Sequence, residues 1–527
     1  MKSRAIFLLL TLLVFLLSCK NEIVDKTYSG FVYIDNNEFK LNNEPYYPIM
    51  LNYVVGYRCF DDGFYLSPIK EYENPAIFES NNPNEVHNQL EGHFQLIKEM
   101  GFNSVRICFD RISKTEDNRY FYHADDKKYY ISTDYEKILD ALDVLVNIAA
   151  SKDLKIMLLI KTPIDSELED FAVRIMERFK NNPTIFAYDM LNEPLYFDTE
   201  PNRKKEDAYK IVDNWRKLTR KHAPNQLFTI AFSEPIEVFE WDPSILPVDF
   251  VQIHTYHPLR VKNEIYWYHK YVNRPFMIGE TALPADGDSI TYSEQLCFMR
   301  EVFRWQRDCG SIGFGWWQFQ EVPDIEFEAH YTGLLNQTGK TSTSDGKYTI
   351  IGTVKPAAKI VADLNSYKPQ APLRPENYYN MVGYKNICIK GKIMDEDTKL
   401  PIEGAVIRGW NKWWVVGMNT YSDENGEFRL YCNDPCVHFE ISAPGMSKQK
   451  INKELIYKKI TSENYDINNL PDKDLEYQKI SYKPFLVNNT CHDDYDHPYF
   501  VFDSAMFDNK IFEADFGVVY LRNLNLK

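Results

Sequence analysis

The sequence is short of several things that would mark other kinds of protein. It has no Lys/Arg-rich run, and its 60 basic residues are outnumbered by 76 acidic ones, for a formal charge of −16. Such a surface repels phosphate backbones, so nucleic acid is excluded as a partner. It has no internal repeat and no low-complexity tract, which sets aside solenoids and fibrous chains. Its nine cysteines include no CxxC pair, so no zinc site is expected. Cys108 lies in an apolar run and reads as a core thiol, while Cys432 and Cys436 could close a short disulfide loop in an oxidising compartment. No apolar run reaches the roughly 20 residues that span a bilayer. The longest, Ala5–Leu17, is broken only by Thr11 and follows Lys2 and Arg4. It reads as a secretory signal segment and is left out of fold reasoning.

What is present points to a large soluble protein of at least two parts. Hydrophobic residues make up 44% and charged residues 26%, a globular composition, and 527 residues exceed what one core accommodates. Aromatic residues reach 15%; their flat rings suit the apolar faces of sugars, and equally suit a large core. From Tyr46 to Tyr367, short apolar runs alternate with amphipathic stretches. Candidate strands are Tyr46–Tyr53, Ser104–Phe109, Lys155–Ile160, Ile185–Leu191, Leu227–Phe232, Phe250–His254, Pro275–Gly279 and Ile312–Trp317. Runs without polar alternation suit strands buried on both faces of a parallel sheet. Helical stretches fall between them at His93–Met100 (stopped by Gly101), Thr133–Ala150, Glu167–Lys180, Glu206–Lys221, Ser293–Asp308 and Lys355–Leu364. Eight such units predict an α/β fold, a (β/α)8 TIM barrel. Pro369, Pro372 and Pro375 mark a linker. Beyond it come short strands separated by turns such as Asp423-Glu424-Asn425-Gly426, the pattern of a small all-β sandwich. The expected division is a signal segment over 1–18, a tether over 19–30, a barrel over 31–367, a linker over 368–385 and a sandwich over 386–527.

Catalytic side chains of a barrel come from the C-terminal ends of its strands. In order, the strands run into Asn52, Arg106, Lys161, Asn192-Glu193-Pro194, Ser233-Glu234, His254 with Tyr256 beyond it, Glu280, and Trp316-Trp317-Gln318. Glu193 and Glu280 follow strands four and seven. Cleaving a glycosidic bond takes two carboxyl groups, one protonated to release the leaving oxygen and one ionised to attack or to activate water. Alone, each feature has a plainer explanation. Asn-Glu-Pro starts helices, an arginine on a strand makes a structural ion pair, a histidine fills a core, and one of Trp316 and Trp317 faces the core because neighbours alternate. Their convergence on one rim sets them apart. Two carboxylates suffice for this chemistry, so no metal and no cofactor is expected.

The segments Met100-Gly101-Phe102-Asn103-Ser104-Val105-Arg106, Leu191-Asn192-Glu193-Pro194, His254-Thr255-Tyr256 and Ile278-Gly279-Glu280-Thr281 resemble the motifs of glycoside hydrolase family 5, the cellulase-like family of clan A. Asn43-Glu44-Pro45-Tyr46 with Asn52-Tyr53 resembles its first strand. The resemblance implies Glu193 as general acid/base and Glu280 as nucleophile. It implies that Arg106 pairs with Glu280 and holds it ionised, and that the charge on Glu280 helps keep Glu193 protonated. Tyr256 would bond the nucleophile, His254 would orient the acid/base or a sugar hydroxyl, Asn192 would bind the 2-OH, and Trp317 would lie under the sugar being cleaved. The sequence departs from the family after strand three, where Ile160-Lys161-Thr162-Pro163 replaces a common histidine. Glu234 is an additional rim carboxylate, either binding a hydroxyl or facing solvent. Tyr53, Tyr57 and Tyr196 are subsite platforms or packing residues.

The C-terminal region, with Gly391-Lys392-Ile393, Leu400–Ile407, Thr420–Phe428 and a closing Asp515–Leu521, resembles a carboxypeptidase-regulatory-like β-sandwich interrupted near Tyr457–Phe500. Its Trp410, Trp413 and Trp414 fill a core or an interdomain contact, or form a carbohydrate-binding face. Leu16-Leu17-Ser18-Cys19 resembles a bacterial lipobox, with a polar start of the Bacteroidetes type after it, which implies lipidation of Cys19 and a place in the cell envelope, at the outer membrane. The expected function is a retaining hydrolase of β-linked polysaccharide or oligosaccharide, an endo-β-glycanase such as a glucanase or mannanase. The alternative is a catalytically inactive glycan-binding surface lipoprotein.

Overall fold

The computed structural model describes residues 30–60, 63–68, 82–109, 112–114, 120–124, 127–131, 135–160, 169–198, 200–258, 260–321, 330–375, 387–414, 418–432, 435–460 and 512–524. Cys19 with the signal and tether segments, the helix cap Thr133, Lys161 and the stretch 461–511 lie outside the described residues.

At the centre is a closed parallel barrel. Its strands are β1 (Ile49–Phe60), β2 (Ser104–Phe109), β3 (Lys155–Leu159), β4 (Ile185–Asn192), β5 (Leu227–Phe232), β6 (Val251–His254), β7 (Phe276–Glu280) and β8 (Phe314–Trp316). They pair in parallel in the order β7-β6-β5-β4-β3-β2-β1-β8. Ile312 N donates to Phe276 O at 2.8 Å and Ile278 N to Gly313 O at 3.2 Å, which closes β7 on β8. The apolar runs are what the barrel needs: β5 is buried along its whole length, and β4 is buried from Ile185 to Leu191. All eight strands were legible, with displaced ends. β1 starts at Ile49 rather than Tyr46 and runs on to Phe60, where it turns back to pair with Gly63–Pro68.

The helices are α1 (Pro83–Glu99), α2 (Tyr135–Ser151), α3 (Glu169–Phe179), α4 (Lys205–His222), α5 (Val261–Tyr271) and α6 (Tyr292–Asp308). α1 begins well before the expected His93, because Asn82 caps it by accepting from Asn84 N at 3.0 Å and Pro83 opens its first turn. α6 is entered through a capping box of Thr291 and Glu294. α5 was not foreseen, and Lys355–Leu364 is two short turns rather than one helix. Among the described residues, no helix is long and apolar enough to cross a membrane. An N-terminal ribbon over Val32–Pro45 plugs the end of the barrel where strands begin, with Phe39 edge-on to Phe186 and Phe250.

The C-terminal strands are β9 (Ile387–Asp395), β10 (Val406–Asn411), β11 (Met418–Tyr421), β12 (Glu427–Cys432), β13 (Cys436–Ser442), β14 (Gln449–Asn452), β15 (Lys458–Lys459) and β16 (Phe512–Leu521). They form two four-stranded sheets, β12-β9-β16-β15 and β11-β10-β13-β14. Ile389, Ile407, Phe428, Leu430, Phe439 and Ile441 fill the space between them. Cys432 and Cys436 are buried there as thiols, not joined in the disulfide their spacing allowed.

The sandwich is docked on the barrel. Val406 and Tyr421 belong to the barrel's core cluster, Trp267 Nε1 donates to Gly404 O at 2.8 Å, and Tyr271 Oη donates to Glu403 at 3.0 Å. Lys205 is 3% exposed and donates to Asp242 (2.8 Å), Ala443 O (3.2 Å) and Met446 O (2.7 Å). Burial pulls the pKa of Lys205 down and Asp242 opposes that pull. Asp242→Ala should therefore cost about 3–5 kcal/mol in urea denaturation, because it strands a buried ammonium. Lys205→Met should cost a similar amount, because it strands the buried Asp242 carboxylate, and replacing both residues by apolar ones should cost less than either single change. Losses below about 1 kcal/mol from both single changes would mean that the pair is not desolvated.

Candidate active site

The barrel rim is built around Arg106, which is fully buried near the middle of β2. Its Nε donates to Asp189 Oδ2 at 2.9 Å, Nη1 to Asn52 Oδ1 at 3.0 Å and to Glu280 Oε1, and Nη2 to Asn192 Oδ1 at 2.7 Å. Burial works against this charge, but Cys108, Asp189 and Glu280 more than offset it, and the pKa of Arg106 rises above its ordinary value. Asn52 is a strap as well as a partner: its Nδ2 donates to Gly279 O at 2.9 Å and Trp316 O at 3.0 Å, tying β1 to β7 and β8. Gly279 is required beside Glu280, because a Cβ there would run into the Gln252 side chain.

Glu280 ends β7. One carboxylate oxygen accepts from Arg106 and the other from Tyr256 Oη. Glu193 follows β4 in a left-handed conformation, φ 42°, uncommon for a residue with a Cβ. It, rather than Asn192, is the cap residue of the short Pro194–Phe197 helix, and its side chain makes no capping bond. The carboxylate points instead to His254, whose Nδ1 lies 2.6 Å from Glu193 Oε1 and 3.4 Å from Glu280 Oε2. Burial pushes the pKa of His254 down to about 3, so the ring is neutral. Glu193 is pushed up to about 7, first by burial, with Arg106 pulling it down and Glu234 pushing it up. Burial is the first of these causes, ahead of any neighbouring charge.

Glu193, His254 and Glu280 each offer an atom within 4.8 Å of the others, a spacing a cation could bridge. Both oxygens of Glu280 already accept from donors, one of them a guanidinium, so the donor set suits proton handling better than a dication.

The other expected residues separate. Trp316 is fully buried, with Nε1 donating to Thr332 O at 3.1 Å, and is barrel packing. Trp317 is 9% exposed, is joined to Gln318 by a cis peptide, and donates its backbone N–H to Thr281 O at 3.0 Å, next to Glu280. Glu234 does not face solvent alone: it takes two bonds from Arg260 at 3.2 Å each. Tyr53 is core, 2% exposed and bonded to His93 Nδ1 at 2.8 Å, whereas Tyr196 is 61% exposed at the rim. The Tyr57 side chain lies outside the described residues.

Asp189 and Glu237 were missed. Asp189 is fully buried in β4, where its signal was a lone acid in an apolar strand, a residue that demands a partner. Glu237 lies on a short helical turn, Pro235–Phe239, and accepts from Ser233 N and Oγ, both at 2.8 Å, and from Leu195 N at 3.4 Å. It braces the turn that carries Glu193.

An eight-stranded barrel with a close pair of carboxyl groups at its C-terminal mouth holds the two groups that cleavage of a glycosidic bond takes. Residues 70–320, which include Arg106, Glu193 and Glu280, match the model of the family described as Cellulase (glycosyl hydrolase family 5). A comparison with curated proteins finds no match. Similar solved structures include the exo-β-1,4-mannosidase Op5Man5 from Opitutaceae bacterium strain TAV5 (16% identity, TM-score 0.44, 63% of this chain and 62% of that one). They also include an endo-1,4-β-mannanase from Rhizomucor miehei (14%, 0.40, 57% and 93%) and a β-D-glucuronidase from Dictyoglomus thermophilum (13%, 0.42, 64% and 54%). The chain spans about half the length of that glucuronidase. Likenesses this distant carry no argument about substrate.

Glu237 has a thermodynamic consequence. Burial, the largest cause, raises its pKa from 4.5 to about 8, so between those values the folded state holds a proton that the unfolded state has lost. Its contribution to stability is present below pH 4.5 and is lost as pH rises through about 8. Glu237→Gln should flatten the decline of unfolding free energy across this window, measured by urea denaturation at several pH values. An unchanged slope would mean that Glu237 is ionised in the native protein.

Proposed function

We propose that the chain is a retaining glycoside hydrolase that cleaves β-linked polysaccharide or oligosaccharide by double displacement, with endo-β-glycanase action on a glucan or mannan. The observation that carries this reading is the closeness of the two carboxyl groups. Oxygens of Glu193 and Glu280 lie within 4.8 Å of one another, at the retaining rather than the inverting end of the range, where carboxyl groups stand about 5–5.5 Å apart.

In the first step Glu280, steadied by Arg106 and Tyr256, attacks the anomeric carbon. Glu193 gives its proton to the leaving oxygen. A neutral His254 protonated on Nδ1 donates to Glu193 Oε1, which leaves the acid proton on the other oxygen. Departure of the leaving group lets water back onto Glu193, removing the desolvation that kept it protonated. The glycosyl ester also takes the charge from Glu280, so the pull of Arg106 is less shared. Both changes favour a Glu193 carboxylate, the base that activates water in the second step. Asn192 and Trp317 would contact the sugar. The Leu16–Cys19 motif supports anchoring through a lipid on Cys19 at the outer membrane, and the strand pattern supports a carboxypeptidase-regulatory-like sandwich.

The test is the product's stereochemistry on β-glucan, mannan, xylan and xyloglucan, followed by proton NMR. The β-anomer should appear first, kcat/KM should fall above about pH 7 as free Glu193 ionises, and Glu280→Ala should lose turnover while still binding glycan. First appearance of the α-anomer, or wild-type activity in Glu280→Ala, would reject the mechanism. Binding without turnover by the intact protein would favour the inactive capture protein.

A further inference from the structure

The tryptophans of the sandwich stand in the open instead of filling a core. Trp413 is 70% exposed and Trp414 57%, at the end of the β10–β11 hairpin, and Trp410 is partly exposed beside them. Exposed indoles lose the burial that stabilises a fold, so such a pair marks a contact surface. The pair is also held in place. Trp413 N donates to Asn411 Oδ1 and Trp414 N to Asn411 O, both at 3.0 Å, and Trp414 takes a left-handed φ of 59°. The Trp414 ring stacks on His438 at 4.0 Å and 8°, and meets Trp410 at 5.5 Å.

The strand register shows where this surface leads. Trp410 is paired with His438, and His438 with Asn452. Two residues along, on the same face, Arg408 pairs with Glu440 and Glu440 with Lys450. Lys450 donates to Asn202, and Lys448 to Glu240 at 3.0 Å. Asn202 lies between Glu193 and α4, and Glu240 follows the turn after β5, so both belong to the barrel's catalytic face. Tyr196 and Phe197, directly after Glu193, are 61% and 41% exposed. Exposed rings therefore occur at both ends of a surface that starts on the acid/base side of the cleft.

We propose that Trp413 and Trp414, backed by Trp410 and His438, form an accessory platform for a neutral β-linked glycan chain on the leaving-group side of the site. This rests on the hydrolase reading above. Indole faces match the C–H faces that an extended β-linked chain presents. Lys448 (3.8 Å) and Lys450 (3.0 Å) are matched by Glu440, so neither calls for an acidic sugar. The charge of −16 disfavours an anionic membrane.

The test separates the platform from catalysis. In a Glu280→Gln background, affinity electrophoresis in gels containing soluble β-glucan or galactomannan should show retention weakened about tenfold by Trp413→Ala, a loss of about 1.4 kcal/mol. Trp413→Tyr should restore much of it. With Glu280 intact, Trp413→Ala should raise KM on the polymer and leave hydrolysis of a short aryl glycoside unchanged. Equal retention of parent and Trp413→Ala overturns the platform. So does loss of co-sedimentation with phosphatidylcholine–phosphatidylglycerol vesicles while glycan retention is unchanged, which would make the surface a membrane contact. Retention that depends on Trp413 in a protein that hydrolyses neither substrate would keep the platform and reject the hydrolase reading.

Discussion

The site depends on one buried guanidinium. Arg106 has no water to solvate it and must find protein acceptors on every side. Those acceptors come from β1 through Asn52, from β4 through Asp189 and Asn192, and from the end of β7 through Glu280. A flexible ammonium could not reach so many fixed positions; the planar fork of arginine can. The cost of burying the cation is offset only when the strands stand in the right register. The same contacts that satisfy Arg106 therefore place the Glu280 carboxylate, and fold and site are set by one network.

A second constraint separates the two carboxyl groups. Glu280 is met by a guanidinium and a phenol, both donors, so its neighbours suit an acceptor-only carboxylate. Glu193 sits where burial acts first, opposed by the pull of Arg106 and helped by the smaller push of Glu234. Among the described residues, its side chain bonds to a neutral imidazole. Identical side chains thus meet opposite environments within 4.8 Å. The left-handed backbone at Glu193 and the brace from Glu237 keep it on the dry side of that divide.

Much of this was legible from residue order. Strands buried on both faces carry unbroken apolar runs, so all eight barrel strands could be found, and their ends pointed to Arg106, Glu193, His254, Tyr256 and Glu280. What could not be read is whatever depends on contacts between distant segments. Asp189 looks like an intruder in an apolar strand until Arg106 and Gln252 are beside it. Glu237 lies in a turn with no motif. Tyr53 and Tyr196 looked alike as rim aromatics, and only packing against His93, Phe94 and Phe319 puts the first inside. α5 escaped because its apolar face is shared with the sandwich, through Trp267 and Tyr271.

The position of the sandwich follows from those same contacts. It grips the loop after β4, the turn after β5 and helix α5, segments that follow the strands bearing Glu193 and His254, using the buried Lys205–Asp242 pair and two aromatic bonds. A module tied only by a linker would sample many orientations, and its exposed rings would have no fixed relation to the catalytic pair. Here a desolvated charge, Lys205, is satisfied by both domains at once: Asp242 of the barrel supplies the carboxylate and the sandwich supplies two carbonyls, so rotating the sandwich away would remove two of its three acceptors.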